Sequence, residues 1–378
     1  MSWEKVTLDS VTESCLGKML DQEKNKGEYQ PYLANQNVRW GFFDLDDLSE
    51  MKFEEHEEER YGLKYGDLII CEGGEPGRCA IWKDQIPNMK IQKALHRVRV
   101  NSEMDNRYLF YWFLLAGKNN ALDQYFTGAT IKHMPGQKLK QIVIDKPPLT
   151  IQQRFADILS AYDDLIENNQ KQIMLLEEAA QRLYKEWFVD LRFPGYENTP
   201  IVDSVPQGWK KVSLGDIAPI LTGKKDANFG TADGIYPFFT CSQESIKAPS
   251  YSFDTNAVIL AGNGDFNVKL YRGKFEAYQR TYVLSPTEEK YLYLLYNAVN
   301  ESMAVLVKGA SGSTIKFLTK GMIESIPLFI PTDRLLEQYN SYSEAVQKKI
   351  ESLKSVIVNA TEARDRLLPK LMSGELEV

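Results

Sequence analysis

The sequence predicts an α+β chain in which two duplicated modules of twisted β-sheet and short helices are separated by two long helices forming an antiparallel coiled coil. Three observations predict it. The chain of 378 residues repeats within itself at an offset of 184. Both copies of the repeat end in an apolar heptad seam, and the stretches before each seam break into short β-rich runs punctuated by glycine turns. A period this long belongs to duplication of a whole domain plus its helix rather than to a solenoid.

The repeat is read residue by residue. Ala129-Thr130-Ile131-Lys132 returns as Ser313-Thr314-Ile315-Lys316, Pro147 as Pro331, Ile166-Glu167 as Ile350-Glu351 and Arg182-Leu183 as Arg366-Leu367. Upstream the offset drifts, as loop insertions require. Trp3-Glu4-Lys5-Val6 matches Trp209-Lys210-Lys211-Val212, and Gly66-Asp67-Leu68-Ile69-Ile70 is set against Thr255-Asn256-Ala257-Val258-Ile259. These runs divide the chain into a first module at 1–148, a spacer helix at 149–190, a linker at 191–208, a second module at 209–331 and a closing helix at 332–378.

Within the first module, strands are expected at 68–70, 80–82, 98–100 and 142–144, with a helix over 107–115. The second repeats the order at 258–260, 268–270 and 282–284, with a helix near 291–299. In the first long helix, steps of four and three from Phe155 give Leu159, Tyr162, Ile166, Asn169, Ile173, Leu176, Ala180, Leu183 and Trp187. The second helix carries Tyr339, Ser343, Val346, Ile350, Leu353, Ile357, Ala360, Arg364, Leu367 and Leu371, weaker at Ser343 and Arg364. Thr150-Ile151-Gln152-Gln153 reads as a capping box, whereas Thr332 is followed by Leu335 where a box needs an acid or amide. Pro369 should end or kink the second helix early. Each stripe could serve only to pack a helix on its own module. Two seams of equal length on duplicated units pair most simply with each other, antiparallel, through Phe155, Leu159, Tyr162, Ile166, Ile173, Leu176 and Leu183 on one side and Val346, Ile350, Leu353, Ile357 and Leu367 on the other. At 1.5 Å per residue the stretch 155–187 is roughly 50 Å long.

Composition narrows the function classes. The four cysteines show no C-x-x-C spacing and the three histidines are scattered, so neither a zinc site nor a disulfide framework is expected. The first residues lack an apolar signal and no run is long enough to cross a bilayer; a cytoplasmic, membrane-free chain is expected. A net charge of −7 argues against polyanion binding over the whole surface, but the charge is uneven. Residues 76–140 hold 11 Lys/Arg against 4 Asp/Glu, and residues 209–331 hold 13 against 11. The first long helix, 150–190, holds 4 against 8. Acidity therefore sits on the spacer.

Two loops mix glycine, small hydroxyls and lysine, 125–133 and 308–316. Freed backbone amides, short hydroxyls and an ammonium are what a phosphate needs. Gly128, Thr130, Lys132 and His133 in the first module and Lys308, Ser311, Thr314 and Lys316 in the second are the candidates, joined by Arg78, Lys93, Lys224, Lys225 and Asn263. The plainer alternative is that Thr130-Ile131 and Thr314-Ile315 start strands leading into the long helices.

Leu149-Thr150-Ile151-Gln152-Gln153-Arg154-Phe155, then Leu183-Tyr184-Lys185-Glu186-Trp187-Phe188, then Val205-Pro206-Gln207-Gly208-Trp209, and finally Arg366-Leu367-Leu368-Pro369-Lys370-Leu371-Met372-Ser373-Gly374 follow one another in the chain. In this order they resemble the specificity subunit of type I restriction-modification systems. The resemblance covers the whole chain. It implies two target recognition domains, each reading half of a bipartite, asymmetric site on double-stranded DNA, joined by paired helices. It also implies partners: two methyltransferase subunits docked on the helices and two restriction and translocase subunits. The chain itself would be no enzyme and would hold no cofactor, with S-adenosylmethionine, ATP and magnesium belonging to the partners.

Two other readings remain. A self-contained DNA-modifying enzyme would need an Asn/Asp-Pro-Pro-aromatic motif, yet the paired prolines Pro147-Pro148 follow Lys146, and Gly262-Asn263-Gly264 lacks a third glycine in place. A nuclease would need clustered carboxylates with a lysine, and Glu288-Glu289-Lys290 lies in a turn after Pro286. A coiled-coil adaptor that does not bind DNA is the third reading, and salt-dependent DNA binding separates it from the first.

Overall fold

The computed structural model describes residues 3–21, 25–312 and 316–376. The chain forms two compact units, Met1–Asn168 with Val356–Val378 and Asn169–Ser355.

In the first unit β1 (Glu4–Thr7) pairs antiparallel with β9 (Val143–Lys146), Val6 opposite Ile144, so the segments entering and leaving the module are zipped together. One turn of helix, α1 (Leu8–Val11), follows and buries both of its apolar ends. A four-stranded sheet runs in the order β2 (Thr12–Leu16), β8 (Leu95–Val100), β5 (Leu68–Cys71), β6 (Cys79–Ile81). Central β5 has no polar residue and all four of its side chains are buried, as a strand covered on both faces requires. A three-stranded sheet has the order β4 (Ser49–Phe53), β3 (Glu28–Leu33), β7 (Lys90–Ile91). Short helices α2 (Glu58–Tyr61) and α4 (Gly136–Lys140) flank α3 (Asn106–Lys118), whose cap Asp105 accepts from the amides of Arg107 and Tyr108 at 2.9 and 3.0 Å. Tyr108, Leu109 and Phe113 of α3 fill the core beside Leu68, Ile70 and Val98.

The long helix α5 (Leu149–Tyr184) continues into a wider turn, Lys185–Val189, that buries Trp187 and Phe188. In the second unit, residues 191–208 form a hairpin of β10 (Ile201–Val202) and β11 (Val205–Pro206) turned by Asp203 and Ser204 at φ 51° and 64°. Here Phe193 meets Trp209, ring centroids 4.6 Å apart. The linker expected at 191–208 thus carries a short hairpin with exposed Ile201 and Val202 and is anchored through Phe193 against Trp209. Beyond it, β12 (Lys210–Ser213) pairs with β19 (Pro327–Ile330), Val212 opposite Leu328, and α6 (Leu214–Ile217) follows. The sheet runs β13 (Ile220–Thr222), β18 (Thr281–Leu284), β16 (Phe253–Ala261), β17 (Val268–Ala277), β14 (Tyr236–Phe239), β15 (Ile246–Ala248). Helices α7 (Leu292–Gly309) and α8 (Lys320–Glu324) precede the second long helix, α9 (Asp333–Met372).

The four-stranded sheet of the first unit and the first four strands of the six-stranded sheet share one strand order. Leu68 lies opposite Val98 and Val258 opposite Leu284, while Ile70 faces His96 and Leu260 faces Tyr282. Leu68 thus corresponds to Val258. The sequence match of Leu68 with Ala257 is one residue out, which along a strand would put every side chain on the wrong face.

Each unit contains an antiparallel helix pair. In the first, Phe155 and Leu159 near the start of α5 share a core with Leu368, Leu371 and Met372 at the end of α9. In the second, Tyr184, Trp187 and Phe188 share a core with Leu335, Leu336 and Tyr339 at the start of α9. Phe155, Leu159, Ile350 and Leu353 are buried and Tyr162, Ile166, Ile173, Leu176, Leu183, Val346, Ile357 and Leu367 half-buried, while Met174 and Leu175 beside them are exposed. The weak seam position Arg364 is answered by charge: its guanidinium reaches Asp163 at 2.5 Å, and the Tyr111 hydroxyl donates to the same carboxylate. Two details differ from expectation. Helix α5 begins at Leu149, ahead of the capping box, and its buried anchor is Gln152, which accepts from the Asp105 amide and donates to the carbonyls of Glu103 and Pro147. Helix α9 passes through Pro369 to Met372, because a proline in the last turn forfeits a single backbone bond.

Candidate nucleic-acid interface

At one end of each sheet a set of loops is held together by main-chain hydrogen bonds, and the set is the same in both modules. In the first, the amide of Lys93 donates to the carbonyl of Lys18 at 2.9 Å, that of Glu72 to Ala94 at 2.9 Å and that of Met134 to Glu72 at 2.7 Å. In the second, Gln279 donates to Lys225 at 3.0 Å, Gly262 to Arg280 at 2.9 Å and Leu318 to Gly262 at 2.8 Å. Four loops meet in each case: the one after β2 or β13, the turn before β8 or β18, the turn between β5 and β6 or between β16 and β17, and the glycine loop.

The glycine loops 127–133 and 311–317 are closed at their bases by reciprocal backbone bonds, Thr127 with His133 at 2.8 and 2.9 Å and Ser311 with Phe317 at 3.0 and 2.8 Å. Thr130-Ile131 forms a bend and does not start a strand leading into the long helix, while Thr314-Ile315 lies outside the described residues. Gly128 at φ 93° and Gly312 at φ 107° occupy the same place, where a side chain would strain the backbone. Directly below, the carbonyl of Met134 accepts from His96 Nε2 at 3.0 Å, and the carbonyl of Leu318 accepts from the Tyr282 hydroxyl at 2.8 Å. His96 and Tyr282 hold equivalent strand positions. Burial depresses the His96 pKa against the opposing effect of its bond to Met134, so the ring stays neutral and Nε2 carries the proton.

Most candidates from sequence stand at this end of the sheets. Gly128, Thr130, Lys132 and His133 are exposed on their loop. Lys132 pairs with Asp123 at 2.9 Å, and His133 Nε2 lies 2.9 Å from the Thr127 hydroxyl. Lys93 lies in the turn before the last strand. Lys224 is exposed, Lys225 is half-buried with its ammonium 4.4 Å from the Phe229 ring centroid, and Asn263 bridges to Phe317. Ser311 and Lys316 are exposed on the second loop and Lys308 is exposed at the end of α7. Thr314 lies outside the described residues. Arg78 points inward, donating to the carbonyl of Asn35 at 3.0 Å and to Glu75 at 3.2 Å, so it shapes its turn more than the surface. Gln279 and Arg280 share the end of the second sheet and escaped sequence reading. Their counterparts, Lys93 and Ala94, have nothing in common with them in side chain, and only strand register aligns the pairs. Among the described residues no group of three or more His, Cys, Asp or Glu is arranged to hold a metal, and no helix is long and apolar enough to cross a membrane.

Residues 1–178 and 206–355 match the family model of the type I restriction modification DNA specificity domain. The chain belongs to this family. Over 168 residues this specificity chain is 39% identical to the specificity subunit of the Escherichia coli type I restriction enzyme EcoDI, a match covering 44% of the chain and 36% of that subunit. The matched part thus spans about a third of that relative's length. Over 346 residues it is 28% identical to the Methanocaldococcus jannaschii MjaIX specificity subunit, covering 83% of this chain and 78% of that one. A crystal structure of the type I system S subunit from M. genitalium superposes over 98% of this specificity chain and 96% of that one, with a TM-score of 0.59 at 16% identity, which establishes a common fold.

Proposed function

We propose that this chain is the DNA sequence-specificity subunit of a type I restriction-modification complex, reading a bipartite, asymmetric site with one half assigned to each module. The observation that carries it is the duplicated loop cluster, whose main-chain anchors agree in both modules while the exposed side chains differ. A repeated scaffold with unlike reading groups suits two unlike half-sites. The recognition domains are taken as 1–148 and 209–331, with phosphate contacts from Lys132, Lys316, Lys224 and the glycine-loop amides. Two methyltransferase and two restriction subunits would supply catalysis, together with S-adenosylmethionine, ATP and magnesium, and this chain would supply the address. Family membership supports this division over a self-contained modifying enzyme. Methylome sequencing of cells with and without the gene tests it: a gapped methylated site that disappears with the gene is expected, and an unchanged methylome defeats the proposal.

A further inference from the structure

We infer that Arg280 is the guanine-reading residue of the second module and that the first module has no arginine in that role; the inference rests on the DNA-reading function proposed above. The guanidinium fork matches O6 and N7 at the major-groove edge of guanine, the commonest specific contact between side chain and base. A residue with that task must be exposed at the interface with its donors unspent on the fold. Residues 209–331 contain two arginines, Arg272 and Arg280. Arg272 donates to the Tyr293 hydroxyl at 2.8 Å and lies 5.3 Å from the centroid of that ring. Arg280 is exposed, and its guanidinium has no partner among the described residues. Its backbone is fixed: the carbonyl accepts from Gly262 at 2.9 Å, and the next amide, Thr281, donates to Tyr278 at 2.8 Å. An unspent donor fork thus stands on a rigid turn between Lys225 and the glycine loop.

The first module differs on this point. Of its six arginines five pair with carboxylates, and the sixth, Arg60, stands on the short helix α2 rather than on any of the four loops. Arg39 pairs with Asp44, Arg78 with Glu75, Arg97 with Glu13 and Arg107 with Asp157. Arg99 grips both oxygens of Asp67 at 2.7 Å, and Arg60 lies over the Tyr61 ring. Ala94 occupies the position equivalent to Arg280. The half-site read by the second module therefore contains a G·C pair contacted from the major groove, by a means the first module lacks.

Arg280→Ala and Arg280→Lys are placed in the complete complex in its host, with Lys93→Ala as the matching change in the first module, and the methylated sites are sequenced. Exchange of residues 209–330 with a relative identifies the half-site belonging to the second module. The expected result is that both Arg280 variants relax one guanine position of that half-site, discrimination falling about ten- to a hundredfold, while the other half-site and the gap stay unchanged. Arg280→Lys keeps the positive charge and loses the fork, so a relaxed site with lysine and no methylation with alanine also supports the inference. A site identical to wild type with Arg280→Lys, or relaxation in the first module's half-site, overturns it. A wild-type complex that methylates no gapped site defeats the parent function instead.

Discussion

In the second module one strand, β17, runs from Val268 to Ala277, pairing along most of its length with β16 and at its end, parallel, with β14. In the first module the same path is divided between β6, which pairs with β5, and β7, which pairs parallel with β3, and residues 82–89 are interposed. Strand order survives the insertion, and so do the edge hairpins β3–β4 and β14–β15. What changes is the chemistry at the junction. Lys90, fully buried, sits where the second module has Glu276, also fully buried. Lys90 is answered by Glu58 at 2.7 Å and by the Asn88 carbonyl at 2.8 Å; Glu276 accepts from Ser252 at 2.7 Å and from the Ala277 amide at 3.0 Å. A framework defined by main-chain pairing tolerates opposite charges at one position provided that each module brings its own partner.

The largest expected effect breaks the comparison at the level of function. Replacing residues 209–330 with the equivalent segment of a relative should change one half-site completely and leave the other half and the gap alone, read by methylome sequencing; a change in both halves would mean the modules do not read independently. Next comes the junction. Glu58→Ala strands a buried ammonium and should cost about 3 kcal/mol, at the low end for a broken buried pair because Glu58 is itself partly exposed. Ser252→Ala removes one of two bonds to Glu276 and should cost about 1–2 kcal/mol. Hydrogen exchange at β7 and at β14 measures the two losses separately, and equal losses would show that the two charges are compensated alike.

A smaller difference is expected with pH. His96 is held below its ordinary pKa by burial, so above about 6.5 folded and unfolded forms are both neutral. As pH falls below 6.5 the unfolded chain takes up a proton that the folded one refuses, and stability declines until the folded value is reached. Tyr282, raised by burial from 10.0, is neutral throughout this range. The protection factor of the Met134 amide, its exchange rate relative to an unstructured amide at the same pH, should therefore fall between pH 6.5 and 5 while that of Leu318 does not follow, and His96→Gln should remove the difference; parallel behaviour of the two amides would refute it. The smallest effect is at the loop lysines. Lys316→Ala should lower the slope of log affinity against log salt by about 0.9, and Lys132→Ala by less, since Lys132 already shares its charge with Asp123. Equal slopes in titrations at several salt concentrations would count against Lys316 as a phosphate contact.

The two seams were readable because a heptad pattern is local and survives without knowledge of the partner. Even Arg364, an apparent flaw, proved satisfied by Asp163 on the other helix. The glycine loops were readable because they repeat. Register was not: Leu68 and Val258 hold equivalent positions in strands of unlike sequence, and matching short apolar runs leaves a one-residue slip undetected. Gln279 and Arg280 were out of reach for the same reason, since their position is fixed by backbone bonds between distant turns. The anchor Gln152 was passed over because its three bonds go to main-chain atoms upstream of the helix.

The glycine loops are fastened at Thr127 and His133, and at Ser311 and Phe317, through amide and carbonyl groups that every residue other than proline possesses. Nothing in that fastening inspects the side chains between. Such a mount is portable: any seven-residue insert that bends at its second position and keeps its two ends fits the same socket. Genetic exchange within the repeat can then deliver new reading groups without renegotiating the core beneath them.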